Sequence, residues 1–395
     1  MSIGRTGFYC STASNLMRLK SLILIAALVG PLGIAGCNSS PKVVTQKKSE
    51  GTLESIDESP ASGAFTGLAR SSDGHLLAIV KDNKKIGVLD PLKDTSVHVF
   101  ESSDKEWIYS PTFSPDGSVL ATVSNTPKNL ESSGHLLLWD PTTGQRLSSV
   151  DNLSWPICCA SFNPSGTLIA VAGNTTLYLV DATTREIVQR VEMERVVNGV
   201  ILSMAFNSSG NTLATAKRNG KVELWQVPNL NLVGAFSVGP SLRTASADPY
   251  DGPANPQAVS LAFAHNLPFL AANNSEGSVF VWDVMTSKEI VRYVSKDFSS
   301  HGNSSVYAPV ANSLFFALDD RWLLTIDQKT NGIRMLGIAR RKETDNVMNV
   351  PKHGVLETMN ASAMDGSVAF AYRIFHPGEP VPPTAKVEVW SLQLR

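Results

Sequence analysis

Three stretches of the chain are copies of one pattern: WIYSPTFSPDGSVLATVS at 107–124, WPICCASFNPSGTLIAVAG at 155–173 and GVILSMAFNSSGNTLATAK at 199–217. Each reads as a strand of small residues, then Phe, a polar turn ending in Gly, and a second apolar strand. The turns SPDG, NPSG and NSSG carry tight-turn chemistry. Downstream of each comes a third strand and the start of a fourth, in HLLLWDPTTGQRL, TLYLVDATTREIV and KVELWQVPNLNLV. Repeated units of this size bury their apolar faces by stacking on their neighbours, so repetition limits the chain to a few architectures.

Four weaker copies cover 64–100, 258–293, 306–338 and the end of the chain. A Trp-Asp-like pair marks the third strand of every copy: Leu89-Asp90, Trp139-Asp140, Val180-Asp181, Trp225-Gln226, Trp282-Asp283, Ile326-Asp327 and Trp390-Ser391. The shortest spacings between these pairs match a period of about 40–45 residues. Over nearly the whole mature chain this resembles the WD-repeat β-propeller family. Its Gly-His dipeptide before the first strand is missing, which puts its usual buried hydrogen-bond network in question. The resemblance implies an all-β fold: a seven-bladed β-propeller of four-stranded antiparallel blades. Recurrence of Trp139, Trp225, Trp282 and Trp390 at one repeat position argues for packing between blades and against a ligand cage.

The last copy stops at Arg395 after its third strand. A ring with a missing strand leaves an exposed edge. The expected filler is an N-terminal strand at Thr52–Ile56, a closure that the family resemblance also implies.

Met17-Arg18-Leu19-Lys20 is basic, and the apolar run Leu22–Leu32 is too short for a comfortable membrane span. Together they have the pattern of a secretory signal, with Met17 a plausible alternative start. Ile34-Ala35-Gly36-Cys37 resembles the lipobox of bacterial lipoproteins, which implies cleavage before Cys37 and lipidation there. The reading is therefore a signal peptide at 1–36, a lipid anchor and polar tether at 37–50, and the propeller at 51–395. Asn38 after the cysteine leans toward the outer membrane, facing the periplasm.

A formal net charge of −1 argues against nucleic acid, which needs a basic face. With Cys10 expected to leave with the signal, the mature cysteines Cys37, Cys158 and Cys159 are no disulfide framework and no zinc pattern. The adjacent pair reads as small buried residues in a strand, with a vicinal disulfide as the alternative. The seven histidines lack HxH and HExxH spacing, and neither a GxSxG elbow nor a P-loop occurs. Asp319-Asp320 reads as a solvated turn, and the loop with Asp248 and Asp251 as polar rather than calcium-binding. No catalytic motif, cofactor or metal is expected. A propeller enzyme gathering ligands from several blades would escape a motif search.

Residues beyond the basic period fall at 125–134, 239–257, 295–304, 339–354 and 376–385. All are second-to-third-strand or blade-to-blade connections, which leave one face of such a ring. Long loops on a rigid scaffold are where binding resides. The expectation is a lipid-anchored scaffold that binds an envelope protein through this face, with Tyr250, Arg340, Arg341 and Lys342 as candidate partner-binding residues. The alternatives are a lactonase-like or hydrolytic enzyme with its site at the channel mouth, an envelope assembly factor, or a ligand sensor.

Overall fold

A computed structural model describes residues 43–52 and most of 65–394. Within 65–394 the segments 91–94, 102–105, 127–132, 194–199, 240–257, 295–313, 328–331, 339–341, 344–347, 350–353, 362–366 and 375–383 and residues 82, 175 and 318 lie outside the description. Every regular element among the described residues is a β-strand. The first is β1 (Val43–Thr52). Blade 1 is β2 (Phe65–Arg70), β3 (Leu77–Lys81), β4 (Lys85–Asp90) and β5 (Thr95–Glu101). Blade 2 is β6 (Trp107–Phe113), β7 (Leu120–Thr126), β8 (Ser133–Trp139) and β9 (Arg146–Leu153). Blade 3 is β10 (Cys159–Phe162), β11 (Leu168–Ala172), β12 (Thr176–Asp181) and β13 (Ile187–Glu192). Blade 4 is β14 (Ile201–Phe206), β15 (Thr212–Lys217), β16 (Lys221–Gln226) and β17 (Asn231–Ser237). Blade 5 is β18 (Ala258–Phe263), β19 (Phe269–Asn274), β20 (Val279–Asp283) and β21 (Lys288–Tyr293). Blade 6 is β22 (Leu314–Ala317), β23 (Trp322–Asp327) and β24 (Gly332–Gly337), with a fourth strand in two pieces, β25 (Lys342–Glu343) and β26 (Met348–Asn349). Blade 7 is β27 (Gly354–Ala361), β28 (Ser367–Ile374) and β29 (Thr384–Leu394), completed by β1.

All pairings are antiparallel, and the first strands of successive blades touch in order until β27 meets β2. The result is a seven-bladed β-propeller. Its core lies at the seams between the blades, one apolar cluster to each seam. Leu68 and Ile79 of blade 1 meet Ala369 and Val389 of blade 7, for example, and Ala121 and Leu136 of blade 2 meet Ile169 and Val171 of blade 3.

The repeated turns have a common cause. In blades 1 to 4 the residue that opens the first-to-second-strand turn closes it with its own side chain: Ser71, Ser114, Asn163 and Asn207 accept the N–H five residues on, at 2.8–3.0 Å. Gly117 and Gly166 sit at φ 73° and 72°, where a side chain is strained. At the far end of the third strand, Asp140, Asp181 and Asp283 each accept the N–H groups two and three residues on, at 2.8–3.2 Å. The Asp of the Trp-Asp pair is thus a turn cap.

Those bonds have a consequence in acid. The Thr142 hydroxyl and backbone hold the Asp140 carboxyl down at about 2. The Thr184 and Thr183 amides lower Asp181, and the Ser114 and Ser118 hydrogen bonds lower Asp116. Carboxyls depressed below their unfolded value of about 4 contribute stability that is complete above that pH and lost as pH falls through the folded values. The melting temperature is therefore expected to hold from neutrality to about pH 4.5 and then to fall toward pH 2, more shallowly in Asp140→Asn. An unchanged acid limb in that variant contradicts the capping role.

The closing strand exists and is Val43–Thr52; of the expected Thr52–Ile56 only Thr52 lies within the described residues. The strand runs along β29 from Val43 opposite Leu394 to Thr52 opposite Lys386, with a bulge between Lys47 and Ser49. Residues 43–50, read as tether from their polarity, are therefore part of the ring, and the compact unit begins at Val43. The physical reason is the outer position. A fourth strand has one open edge and needs no apolar alternation, and charge there suppresses edge pairing. The outer strands β13 and β17 are largely exposed.

Blade 6 differs by one strand from the sequence reading. Ile326-Asp327 ends the second strand, not the third; the register partner of Trp322 is Gly337, as Trp139 is the partner of Leu120 in blade 2. The turn before β23 is Asp319-Asp320, both at positive φ. Asp319 is exposed, but Asp320 is buried and is no solvated turn residue: its carboxylate accepts the backbone N–H groups of His265 (2.8 Å) and Asn266 (2.5 Å) on blade 5. Cys158 and Cys159 are free thiols 2.9 Å apart, the first half-buried and the second buried. The Cys158 thiol and burial push the Cys159 thiol well up.

Candidate functional site

The third-strand tryptophans do pack between blades. Trp139 lies 5.0 Å from Phe100 of blade 1, and Trp282 lies 5.0 Å from Phe236 of blade 4. Their indole N–H groups follow the second strand. Trp139 donates to Thr122 (2.9 Å) and Trp225 to Thr215 (3.0 Å), each two residues beyond its register partner. Blade 5 has Ala272 at that position, and Trp282 is stacked with Phe236 and Phe280. In blade 7 Glu388 takes the Trp390 N–H at 2.7 Å.

The ring has two faces. First-to-second and third-to-fourth connections leave one, and the other two types leave the opposite face. The described ends of β7, β17, β21 and β28 put 127–132, 240–257, 295–313 and 375–383 among the second type. Of the candidate partner-binding residues, Tyr250, Arg340 and Arg341 lie outside the described residues, as does Cys37. Lys342 is not in a blade-to-blade loop. It begins β25, opposite Gly337, in the outer strand of blade 6. Residues 342–349 were read as a connection because a fourth strand broken into two-residue pieces leaves no periodic signal.

On the connection face, two tryptophans stand out of the apolar seams. Trp107 opens β6 and is 47% exposed, and Trp155, in the link from blade 2 to blade 3, is 45% exposed. Both are held on rigid backbone. Ile108 N–H donates to the Asn83 carbonyl of blade 1 at 2.7 Å, directly after Trp107. The Trp155 link is fastened by Asn125, whose Oδ1 accepts Ile157 N–H and whose Nδ2 donates to the Ile157 carbonyl, both at 2.8 Å. Ser154 N–H donates to the Tyr178 hydroxyl at 3.1 Å. Gly134 lets Ile157 approach: a Cβ there would stand 2.1 Å from Ile157 Cγ1. Large, amphipathic rings pre-fixed at the surface are the usual anchors of an interface.

The other face has a cavity of about 290 Å³ between blades 2 and 3, beside Ser114, Asp116, Phe162, Ser165 and Thr183. Its hydroxyls and carboxylate serve the turns themselves: Ser114 and Ser118 donate to Asp116, and Ser165 shares a bond with Thr167. Among the described residues no three of His, Cys, Asp and Glu converge as metal ligands. Trp107 and Trp155 were missed in the sequence because an aromatic at the head of a blade looks like one buried inside it. The Pro after Trp155, and the lack of a Trp-Asp pair at either position, were the available signals.

Comparison with known proteins agrees with this geometry. The WD40 family, described as "WD domain, G-beta repeat", matches residues 195–226, which cover β14 to β16 of blade 4 and include Trp225 and Thr215. The chain is 32% identical over 116 residues to telomerase protein component 1 of Mus musculus, a match that takes in 28% of this chain and 4% of that protein. The chain thus spans a small fraction of the length of this curated relative. The chain is a seven-bladed β-propeller, and its fourth blade, with the Trp225–Thr215 bond, is similar to the WD-domain repeat.

Proposed function

We propose that the protein is a lipid-anchored scaffold of the bacterial cell envelope that binds a partner protein through its connection face. The observation that carries the binding surface is the pair of half-exposed, rigidly held tryptophans, Trp107 and Trp155, on neighbouring blades of that face. The propeller fold and the WD-domain match support a scaffold. The anchor rests on the signal at 17–36 and on Ile34-Ala35-Gly36-Cys37. With β1 starting at Val43, only residues 38–42 separate Cys37 from the ring, a span of at most about 20 Å when fully extended. The ring would therefore work next to the membrane, with the outer membrane favoured by Asn38. Tyr250 remains a candidate on a connection of the same face; Arg340 and Arg341 fall between β24 and β25, a third-to-fourth-strand connection, and drop out of this surface.

The anchor and the surface are tested separately. Cys37→Ser is expected to lose metabolic palmitate labelling; labelling at the parent's level rules out the lipid anchor. Trp107→Ala combined with Trp155→Ala is expected to keep the parent's melting curve, since both rings are half in solvent, and to lower partner recovery from envelope extracts at least tenfold, in line with loss of two anchors. Recovery equal to the parent's places the interface elsewhere.

A further inference from the structure

Blade 2 carries a second arrangement that the scaffold reading does not use. Ser133 and His135 are two apart on β8, so alternation puts their side chains on one face of the sheet. Leu137 and Trp139 continue that face into the seam with blade 1. Thr126 of β7 stands opposite Ser133 in register, and Asp151 comes from the neighbouring strand β9. His135 Nδ1 is 2.8 Å from Asp151 Oδ1, and His135 Nε2 is 2.8 Å from Ser133 Oγ. The Ser149 hydroxyl donates to the other Asp151 oxygen at 3.0 Å.

These contacts suit one tautomer of the His135 ring. Partial burial works to raise the Asp151 carboxyl. The hydrogen bonds from His135 and Ser149, with the nearby Arg146 charge, outweigh burial and hold it below the ordinary carboxylate range. An ionised Asp151 accepts the proton of Nδ1, which leaves the Nε2 lone pair to accept from a hydroxyl. Ser133 at 2.8 Å takes it ahead of Thr126 at 3.2 Å. The Thr126 hydroxyl then donates to the Ser133 carbonyl, also at 3.2 Å. A nucleophile bonded to a base, and a base oriented by a third group, is the geometry of an activated hydroxyl. It lies at the end of the sheet where the second-to-third-strand connection emerges, and the His135 side chain is 14% exposed.

We infer that Ser133 is a nucleophile for acyl transfer, with His135 as its general base and Asp151 as the positioning residue, and that its substrate class is a carboxylic ester. In the forward step Ser133 Oγ forms a bond to the carbonyl carbon while His135 Nε2 takes the hydroxyl proton. Collapse breaks the bond to the alcohol oxygen, which leaves with the proton from Nε2. Water, deprotonated by Nε2, then attacks the acyl carbon; the carboxylic acid departs and Ser133 regains its proton. The cycle needs no oxidant, metal or cofactor. The residues come from third and fourth strands, away from the channel, so this site is distinct from the channel-mouth enzyme considered from sequence.

The test is labelling of the full chain with a fluorophosphonate probe, which phosphonylates an activated serine and releases fluoride, read by mass spectrometry of the peptides. One adduct, on Ser133, is expected. Ser133→Ala removes it and Thr126→Val keeps it. His135→Gln slows labelling by about 100-fold or more, the usual worth of a general base. Asp151→Asn slows it about tenfold, and Asp151→Glu recovers part of the rate, which a merely structural carboxylate would not do. Absence of an adduct on the parent, an adduct that survives Ser133→Ala, or parent-like labelling of His135→Gln overturns the inference. It is independent of the partner-binding reading, because Trp107 and Trp155 are unchanged in all these variants.

Discussion

Deleting residues 1–52 is expected to lower thermal stability far more than deleting residues 1–42. The two truncations differ only by β1, which runs along β29 over ten residues and completes blade 7. Without it β29 presents an open edge of unpaired N–H and C=O groups, and the ring loses the strand that ties the two ends of the chain together. The expected cost is more than about 3 kcal/mol, in the range reserved for loss of an integral element. The longer truncation should also associate through the bare β29 edge, which size-exclusion chromatography detects. Equal melting temperatures for the two truncations would show that β1 contributes nothing to closure.

Asn125→Ala is the point substitution expected to cost most at the connection face. Asn125 is buried, and both of its amide atoms bond the backbone of Ile157. Removing the amide strands one N–H and one C=O in a seam packed by Leu153 and Ile157, at about 1–3 kcal/mol for each. A total of about 2–6 kcal/mol is expected by chemical denaturation. Asn125→Asp should not rescue, because it keeps the acceptor for Ile157 N–H but turns the donor into a second acceptor facing the Ile157 carbonyl. A denaturation midpoint equal to the parent's in the Ala variant contradicts the clamp. Since the link carries Trp155, partner recovery should fall with it.

Most of the ring was legible because its signal is local and repeated. Polar turns closed by Ser71, Ser114, Asn163 and Asn207, and third strands ending in Trp139-Asp140 or Trp225-Gln226, use the same short-range bonds each time. The errors lie where that local signal fades. The closing strand has an exposed edge, so VVTQKKSEGT shows a tether's polarity although it pairs as a strand. In blade 6, Ile326-Asp327 imitates a Trp-Asp pair at the end of a second strand, and the true equivalent, Gly337, has no side chain to recognise. Asp320 caps a turn 55 residues back in the chain, and no sequence window joins it to His265. The site was less legible still. Trp107 and Trp155 come to one face only through the stacking of blades, and Ser133 and His135 are joined to Asp151 by the pairing of two strands.

The central claim is that the connection face binds the partner, and site-specific photocrosslinking in intact cells tests it most directly. A photoreactive residue placed at Trp107 or Trp155 is expected to trap one and the same envelope protein. The same residue at Ser118 or Thr183, on the opposite face, is expected to trap none. Crosslinks from Ser118 and Thr183 with none from Trp107 and Trp155 would contradict the account and move the interface to the tight-turn face.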